Sequence, residues 1–190
     1  MNKIKNITLG DKQFKPFIES DKIISKIINM SITLNKDYTN KKPLFICVLN
    51  GAFLFASELI KRFNHECEVS FVKLASYEGV ESSGVVSNLI GLNEDLKDRN
   101  IIIVEDIVDT GNTISSVFEK IQAHQPKSIE VTTLLFKPKV YNKNIPIKKM
   151  LCQWCVNPKS CLTSIVWFIK YLIRNIFIIK IILYLEVEKE

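Results

Sequence analysis

The sequence has no block of Lys and Arg with interleaved aromatics, so no nucleic-acid partner is expected. No Gly-x-x-x-x-Gly-Lys-Ser/Thr occurs in it, which excludes a Walker-type nucleotide loop. The opening Met1-Asn2-Lys3-Ile4-Lys5-Asn6 leads into polar residues without a long apolar run or a small-residue cleavage site, so no secretory signal is expected. No internal repeat is evident. Histidine is scarce: His65 and His124 are the two present. Both lie far from Cys152, Cys155 and Cys161, so those cysteines make a poor zinc pattern and are read as incidental.

What is present fits one folded domain. A chain of 190 residues can bury a substantial core. Its 47% hydrophobic and 24% charged residues fit a globular protein rather than a disordered one. The formal charge of +6 suits a polyanionic ligand, although the basic residues are scattered and mostly read as solvated surface. Cysteines number five, and Cys47 sits in an apolar run. Reduced thiols in a cytoplasm are therefore expected.

The order of elements predicts an α/β fold. Residues 20–38 read as an amphipathic helix, with Ile23, Ile24, Ile27, Ile28, Met30 and Ile32 near helical spacing. Leu44 to Leu49 is a short continuous apolar run, as in a strand buried on both faces. A helical pattern follows from Ala52 to Phe63, then a strand from Val69 to Leu74. The Gly- and Ser-rich stretch from Tyr77 to Asn88 reads as a mobile loop. Ile101 to Val104 predicts a strand stopping at Glu105, Ile114 to Ala123 a helix, and Ser128 to Phe136 a last strand. Strands alternating with helices imply a mostly parallel central sheet flanked by helices.

The informative segment is Glu105-Asp106-Ile107-Val108-Asp109-Thr110-Gly111-Asn112-Thr113. In an open α/β sheet, ligands bind beyond the carboxyl ends of strands. A Gly permits a tight turn, two Thr hydroxyls can donate, and the following helix directs free N–H groups at an anion. The adjacent carboxylates suit vicinal ribose hydroxyls and a Mg²⁺ ion, which prefers oxygen ligands. Taken singly, these residues could simply end a strand and cap a helix; packed around one Gly between strand and helix, they point to a site.

The stretch Ile101 to Thr113 resembles the phosphoribosyl pyrophosphate signature of type I phosphoribosyltransferases, and its Val-Glu-Asp-Ile-Val-Asp-Thr-Gly wording is that of the hypoxanthine-guanine branch. Leu49-Asn50-Gly51 resembles the family's pyrophosphate loop, whose leading peptide is often cis without proline. Ser76-Tyr77 resembles the start of its flexible catalytic loop, and Leu134-Leu135-Phe136-Lys137-Pro138 the strand end whose lysine recognises the purine. Lys73 stands where many relatives carry a pyrophosphate-binding arginine; it keeps the charge and loses the bidentate fork. The likeness covers roughly residues 10–148.

The resemblance implies transfer of a phosphoribosyl group from phosphoribosyl pyrophosphate to a 6-oxopurine base, with Mg²⁺ as cofactor. It implies that Glu105 and Asp106 hold the ribose hydroxyls and help the metal, and that Thr110, Gly111, Asn112 and Thr113 bind the 5′-phosphate. It further assigns proton transfer at the purine imidazole nitrogen to Asp109, recognition of O6 to Lys137, and pyrophosphate to Asn50, Gly51 and Lys73. Ser76 and Tyr77 would close over the reacting centre. Relatives are dimers or tetramers, so a homo-oligomer is expected.

The likeness implies a phosphoribosyltransferase domain over residues 1–149, C-terminally incomplete, followed by a divergent apolar tail over 150–190. Beyond Lys149 the relatives' Gly-Phe-x-Ile-Pro segment, purine-stacking aromatic and Val-Gly-Tyr-Gly-Leu-Asp run are absent. The first reading of the tail is a shifted reading frame in an AT-rich gene. The second is a membrane segment from Ile165 to Leu185, opposed by Lys170, Arg174 and Lys180, each costing roughly 2.5–3.5 kcal/mol near a bilayer centre. The third is the cysteine site already set aside. The expected function is catalysis in purine salvage; a non-catalytic binder of the sugar donor and an inactivated relative stay open beside it.

Overall fold

A computed structural model describes residues 7–9, 12–18, 20–74, 89–145, 147, 149–150 and 183–187. Nine strands and three helices run in the order β1 (Ile7–Leu9), β2 (Lys12–Ile18), α1 (Ser20–Asp37), β3 (Leu44–Leu49), α2 (Phe53–Ile60), β4 (Glu68–Leu74), β5 (Leu89–Ile90), β6 (Asn100–Val108), α3 (Asn112–Gln122), β7 (Ser128–Phe136), β8 (Lys149–Met150) and β9 (Leu183–Val187) among the described residues. Six strands form the main sheet in the order β5-β4-β3-β6-β7-β8. Every pairing in it is parallel except β4 with β5. This is the expected α/β architecture.

Burial explains the continuous apolar runs. Two faces of one sheet are covered, so β3 and β6 cannot alternate polar with apolar residues. Phe45, Cys47, Ile102 and Val104 pack with Ile23, Ile27, Met30 and Leu34 of α1 and with Phe55, Ala56 and Leu59 of α2. On the opposite face Leu44, Ile46, Val48, Ile101 and Ile103 meet Ile114, Val117 and Ile121 of α3. Each fully buried isoleucine or leucine contributes roughly 1.5–3 kcal/mol.

Several details differ from the sequence reading. The apolar stripe of α1 is Ile23, Ile27, Met30 and Leu34; Ile28 and Ile32 are exposed. A helix turns 100° per residue, so one excess of isoleucines cannot all face one way. Helix α2 ends at Ile60, and Lys61 and Arg62 continue as a turn. Strand β6 does not stop at Glu105. It runs through the acidic pair to Val108, because the ladder with β7 continues through Glu105↔Thr133, Ile107↔Leu135 and Val108↔Phe136. Helix α3 begins at Asn112, two residues before the expected Ile114.

A second, antiparallel sheet, β1-β2-β9, was not expected. Leu183 to Val187 of the tail pairs with Lys12–Ile18, so two sequence-distant segments make one ladder. The loop from Tyr77 to Asn88 and Cys152, Cys155 and Cys161 lie outside the described residues. Among the described residues no helix is long and apolar enough to cross a membrane.

Candidate active site

Sheet topology makes the site. From β3 the chain moves outward to β4 and then returns to place β6 on the other side of β3. The winding direction therefore reverses between β3 and β6, and a crevice opens beyond their carboxyl ends. Leu49-Asn50-Gly51 leaves the end of β3 and Glu105 to Asp109 the end of β6. The Leu49–Asn50 peptide is cis. Lys73 stands opposite Leu49 in the parallel register, with its side chain exposed, so β4 delivers a cation beside that turn.

The turn and the acidic pair are in contact. A Cβ placed on Gly51 would lie 2.6 Å from Asp106 Oδ2 and 2.7 Å from both Oδ1 and Cγ. Only a residue without a side chain lets this backbone lie so close to the carboxylate. Asp106 Oδ1 also accepts the Ile107 N–H at 2.9 Å.

Glu105 and Asp106 are both buried, at 6% and 9% exposure. Side-chain alternation breaks at this pair. Ile101 and Ile103 face α3, yet Ile107 packs with the α1–α2 cluster and Val108 with the α3 cluster. Strand β7 breaks in step, since Leu134 and Leu135 both join the α1–α2 cluster and Phe136 the other. Thr133 marks the place, its hydroxyl donating to the Leu135 carbonyl at 2.9 Å. Burial first, then the neighbouring Asp106, pushes the Glu105 carboxyl well above the ordinary carboxylate range. Its Oε2 is buried without a hydrogen-bond partner. A polar oxygen left unsatisfied inside a protein is costly unless a ligand or water meets it.

Lys137 and Asp109 are brought together at the ends of β7 and β6. The Lys137 N–H donates to the Val108 carbonyl at 3.0 Å, closing the ladder. Its Nζ lies 3.7 Å from Asp109 Oδ1, and the residue is only 9% exposed. Although it stands before a proline at the end of a strand, Lys137 is therefore no solvated surface lysine.

The turn from Thr110 to Thr113 opens α3. Gly111 is the N-cap, with φ +87°, a backbone conformation that costs a residue with a Cβ about 1–2 kcal/mol. No side chain caps this helix, and no acidic residue stands in its first turn. Its leading N–H groups and the positive end of its dipole therefore face outward, as at anion-binding helix starts. Thr110, Asn112 and Thr113 are exposed there, while Gly111 is buried.

Sequence reasoning missed what buries Gly111. A Cβ at this position would meet Tyr141 Cε2 at 2.5 Å and Lys143 Cγ at 2.9 Å. The Asn142 N–H donates to the Thr110 carbonyl at 3.4 Å. Neither Tyr141 nor Lys143 belongs to a motif or periodic pattern; an aromatic and a lysine shortly after the purine-side lysine were the only signal. Ser76 and Tyr77 lie outside the described residues.

A reversed α/β sheet with carboxylates, a lysine–aspartate pair and an uncapped glycine turn at its switch point defines a class of small-ligand enzymes and binders. Residues 18–161 match the family described as "Phosphoribosyl transferase domain". The hypoxanthine-guanine phosphoribosyltransferase of Streptococcus pneumoniae is 33% identical over 125 residues, 65% of this chain and 69% of that protein. The hypoxanthine phosphoribosyltransferase of Buchnera aphidicola is 35% identical over 136 residues, 70% of this chain and 77% of that protein. A crystal structure of a hypoxanthine phosphoribosyltransferase from Staphylococcus aureus superposes with a TM-score of 0.64 at 30% identity, covering 72% of this chain and 74% of that one. The chain belongs to the type I phosphoribosyltransferase family, in its hypoxanthine-guanine branch.

Proposed function

We propose that this chain transfers the 5-phosphoribosyl group from phosphoribosyl pyrophosphate to hypoxanthine or guanine, giving the nucleotide and pyrophosphate in purine salvage. The observation that carries this reading is the Lys137–Asp109 pair set between the acidic pair of β6 and the glycine turn. A sensor of a sugar phosphate alone needs no buried lysine at the purine end. The purine imidazole nitrogen attacks the anomeric carbon, the bond from that carbon to pyrophosphate breaks, and the nitrogen's proton passes to Asp109. Lys137 donates to the base's O6, which selects 6-oxopurines over adenine because a buried donor is otherwise unpaired. Glu105 and Asp106 hold the ribose hydroxyls, and the N–H groups and hydroxyls of Thr110 to Thr113 hold the 5′-phosphate. Asn50, Gly51 and Lys73 receive the pyrophosphate, and Ser76 and Tyr77 close over the centre and exclude water.

Mg²⁺ fits these donors. Glu105 offers a buried, unpartnered oxygen, and among the described residues no group of three His, Cys, Asp or Glu could form a cage. That donor set matches an ion held by one or two carboxylates together with substrate oxygens. When bound, it neutralises charge on the departing pyrophosphate.

Val69 and Phe71 on the outer end of the α1–α2 face, with Phe53 at the start of α2, leave apolar surface exposed. We assign that surface to a second copy, making the enzyme a homo-oligomer in the cytoplasm. We further propose that a shifted reading frame sets in beyond Lys149, within the stretch to residue 161 that the family match still spans; resequencing past that codon should restore Gly-Phe-x-Ile-Pro in another frame.

A coupled assay of the purified protein with hypoxanthine, guanine, xanthine and adenine tests the reaction. Turnover is expected with a 6-oxopurine and absent with adenine. Donor binding without turnover on any base would establish the second reading, a non-catalytic binder, which the absent purine-stacking segment favours.

A further inference from the structure

We propose that Lys143 is a ligand of the donor's 5′-phosphate, carried onto the glycine turn by a strap that leaves the purine-side lysine. The proposal rests on the phosphoribosyl-transfer reading and adds a residue to it. The strap is built rather than loose. The Tyr141 N–H donates to the Lys137 carbonyl at 3.2 Å, and the Tyr141 hydroxyl donates to the Ile145 carbonyl at 2.7 Å. The Tyr141 ring stands edge-on to Phe136, with centroids 5.2 Å apart. Asn142 then bonds across to Thr110. With Tyr141 and Asn142 fixed, the Lys143 stem lies on Gly111, where its Cγ occupies the space next to a missing Cβ.

Charge gives that contact a purpose. Glu105, Asp106 and Asp109 precede the turn, and Thr110 to Thr113 contain no cation. Lys137 faces Asp109. Main-chain N–H groups carry only partial charges, so a phosphate dianion at this turn is under-compensated without a further cation. Lys143 is half-buried and makes no ion pair among the described residues. A lysine that lays its methylenes along a surface carries its ammonium past the covered residue. Here the residue covered is the middle of the phosphate turn.

Calorimetric titrations with ribose 5-phosphate and, separately, with magnesium pyrophosphate test this. Lys143→Gln should weaken ribose 5-phosphate by about 5–10-fold, the worth of one charge-assisted hydrogen bond, and leave pyrophosphate affinity unchanged. Lys73→Gln should do the reverse, and Lys143→Arg should retain ribose 5-phosphate within about twofold. Unchanged ribose 5-phosphate binding in Lys143→Gln, or equal loss of both ligands, overturns the assignment while the transfer reading stands. A wild-type protein binding neither ligand overturns the transfer reading itself, and this proposal with it. Thermal unfolding of Lys143→Gln should match wild type, so a loss of affinity reports the charge.

Discussion

Replacing Glu105 with Gln should stabilise the protein at neutral pH while damaging its chemistry. The side chain is buried with an oxygen left unpartnered, and burial raises its carboxyl well above the usual range. Below about pH 4.3 the group is protonated in both folded and unfolded chains and contributes no pH dependence. Above that pH the unfolded chain gives up the proton while the folded chain keeps it. Stability therefore falls with rising pH until the folded group itself ionises. With one proton at stake, the loss is about 1.4 kcal/mol per pH unit inside that window. For a chain of this size it lowers the unfolding midpoint by roughly 3–6 °C per unit. Gln cannot ionise, so the Tm gap between Glu105→Gln and wild type should open above about pH 4.3, widen with pH, and then level off. Thermal unfolding by circular dichroism from pH 4 to pH 8 measures it. Affinity for the donor with Mg²⁺ should fall by about 10–100-fold, because binding of the ion would displace the Glu105 proton and the hydrogen bonds are then those of a charged group. A Tm gap independent of pH, or a Gln variant less stable at pH 7.5, would refute the reasoning.

Asp109→Asn should depress turnover far more than donor affinity, and steady-state kinetics beside donor titration show the split; equal losses would remove its proton-transfer role. Gly51→Ala forces a Cβ to 2.6 Å from the buried Asp106 carboxylate, which should cost about 1–3 kcal/mol in denaturant unfolding and weaken the magnesium–donor complex. Burial pushes the Cys47 thiol up to about 12, so it should resist iodoacetamide at pH 8 in the folded protein and react once the chain is unfolded, as mass spectrometry of the Cys47 peptide would report.

The parts legible in the sequence are those decided by nearby residues. Leu44–Leu49 and Ser128–Phe136 match the expected strands residue for residue: the first is the unbroken apolar run of a doubly covered strand, and the second is a short β-branched stretch closed by Lys137-Pro138. The glycine turn was legible because the need for a positive φ and for hydroxyl donors is met within five residues. Tertiary decisions were not legible. Two carboxylates in a row read as a strand end, yet β7 goes on to pair with Glu105, Ile107 and Val108, and both acids are buried. Exposed Ile28 and Ile32 read as core because nothing local tells one isoleucine from another. The pairing of β2 with β9 joins segments about 170 residues apart in sequence, beyond any pattern of spacing. Tyr141 and Lys143 reach Gly111 only through the path of the folded strap.

The central claim is that the turn around Gly111 seats a sugar phosphate while the carboxylates of β6 hold the ribose of the same molecule. A crystal structure with phosphoribosyl pyrophosphate and Mg²⁺ measures this directly. The 5′-phosphate should lie on the N–H groups of Gly111 to Thr113, with the ribose hydroxyls on Glu105 and Asp106. Donor density elsewhere in the crevice, with that turn vacant at saturating ligand, would contradict the account.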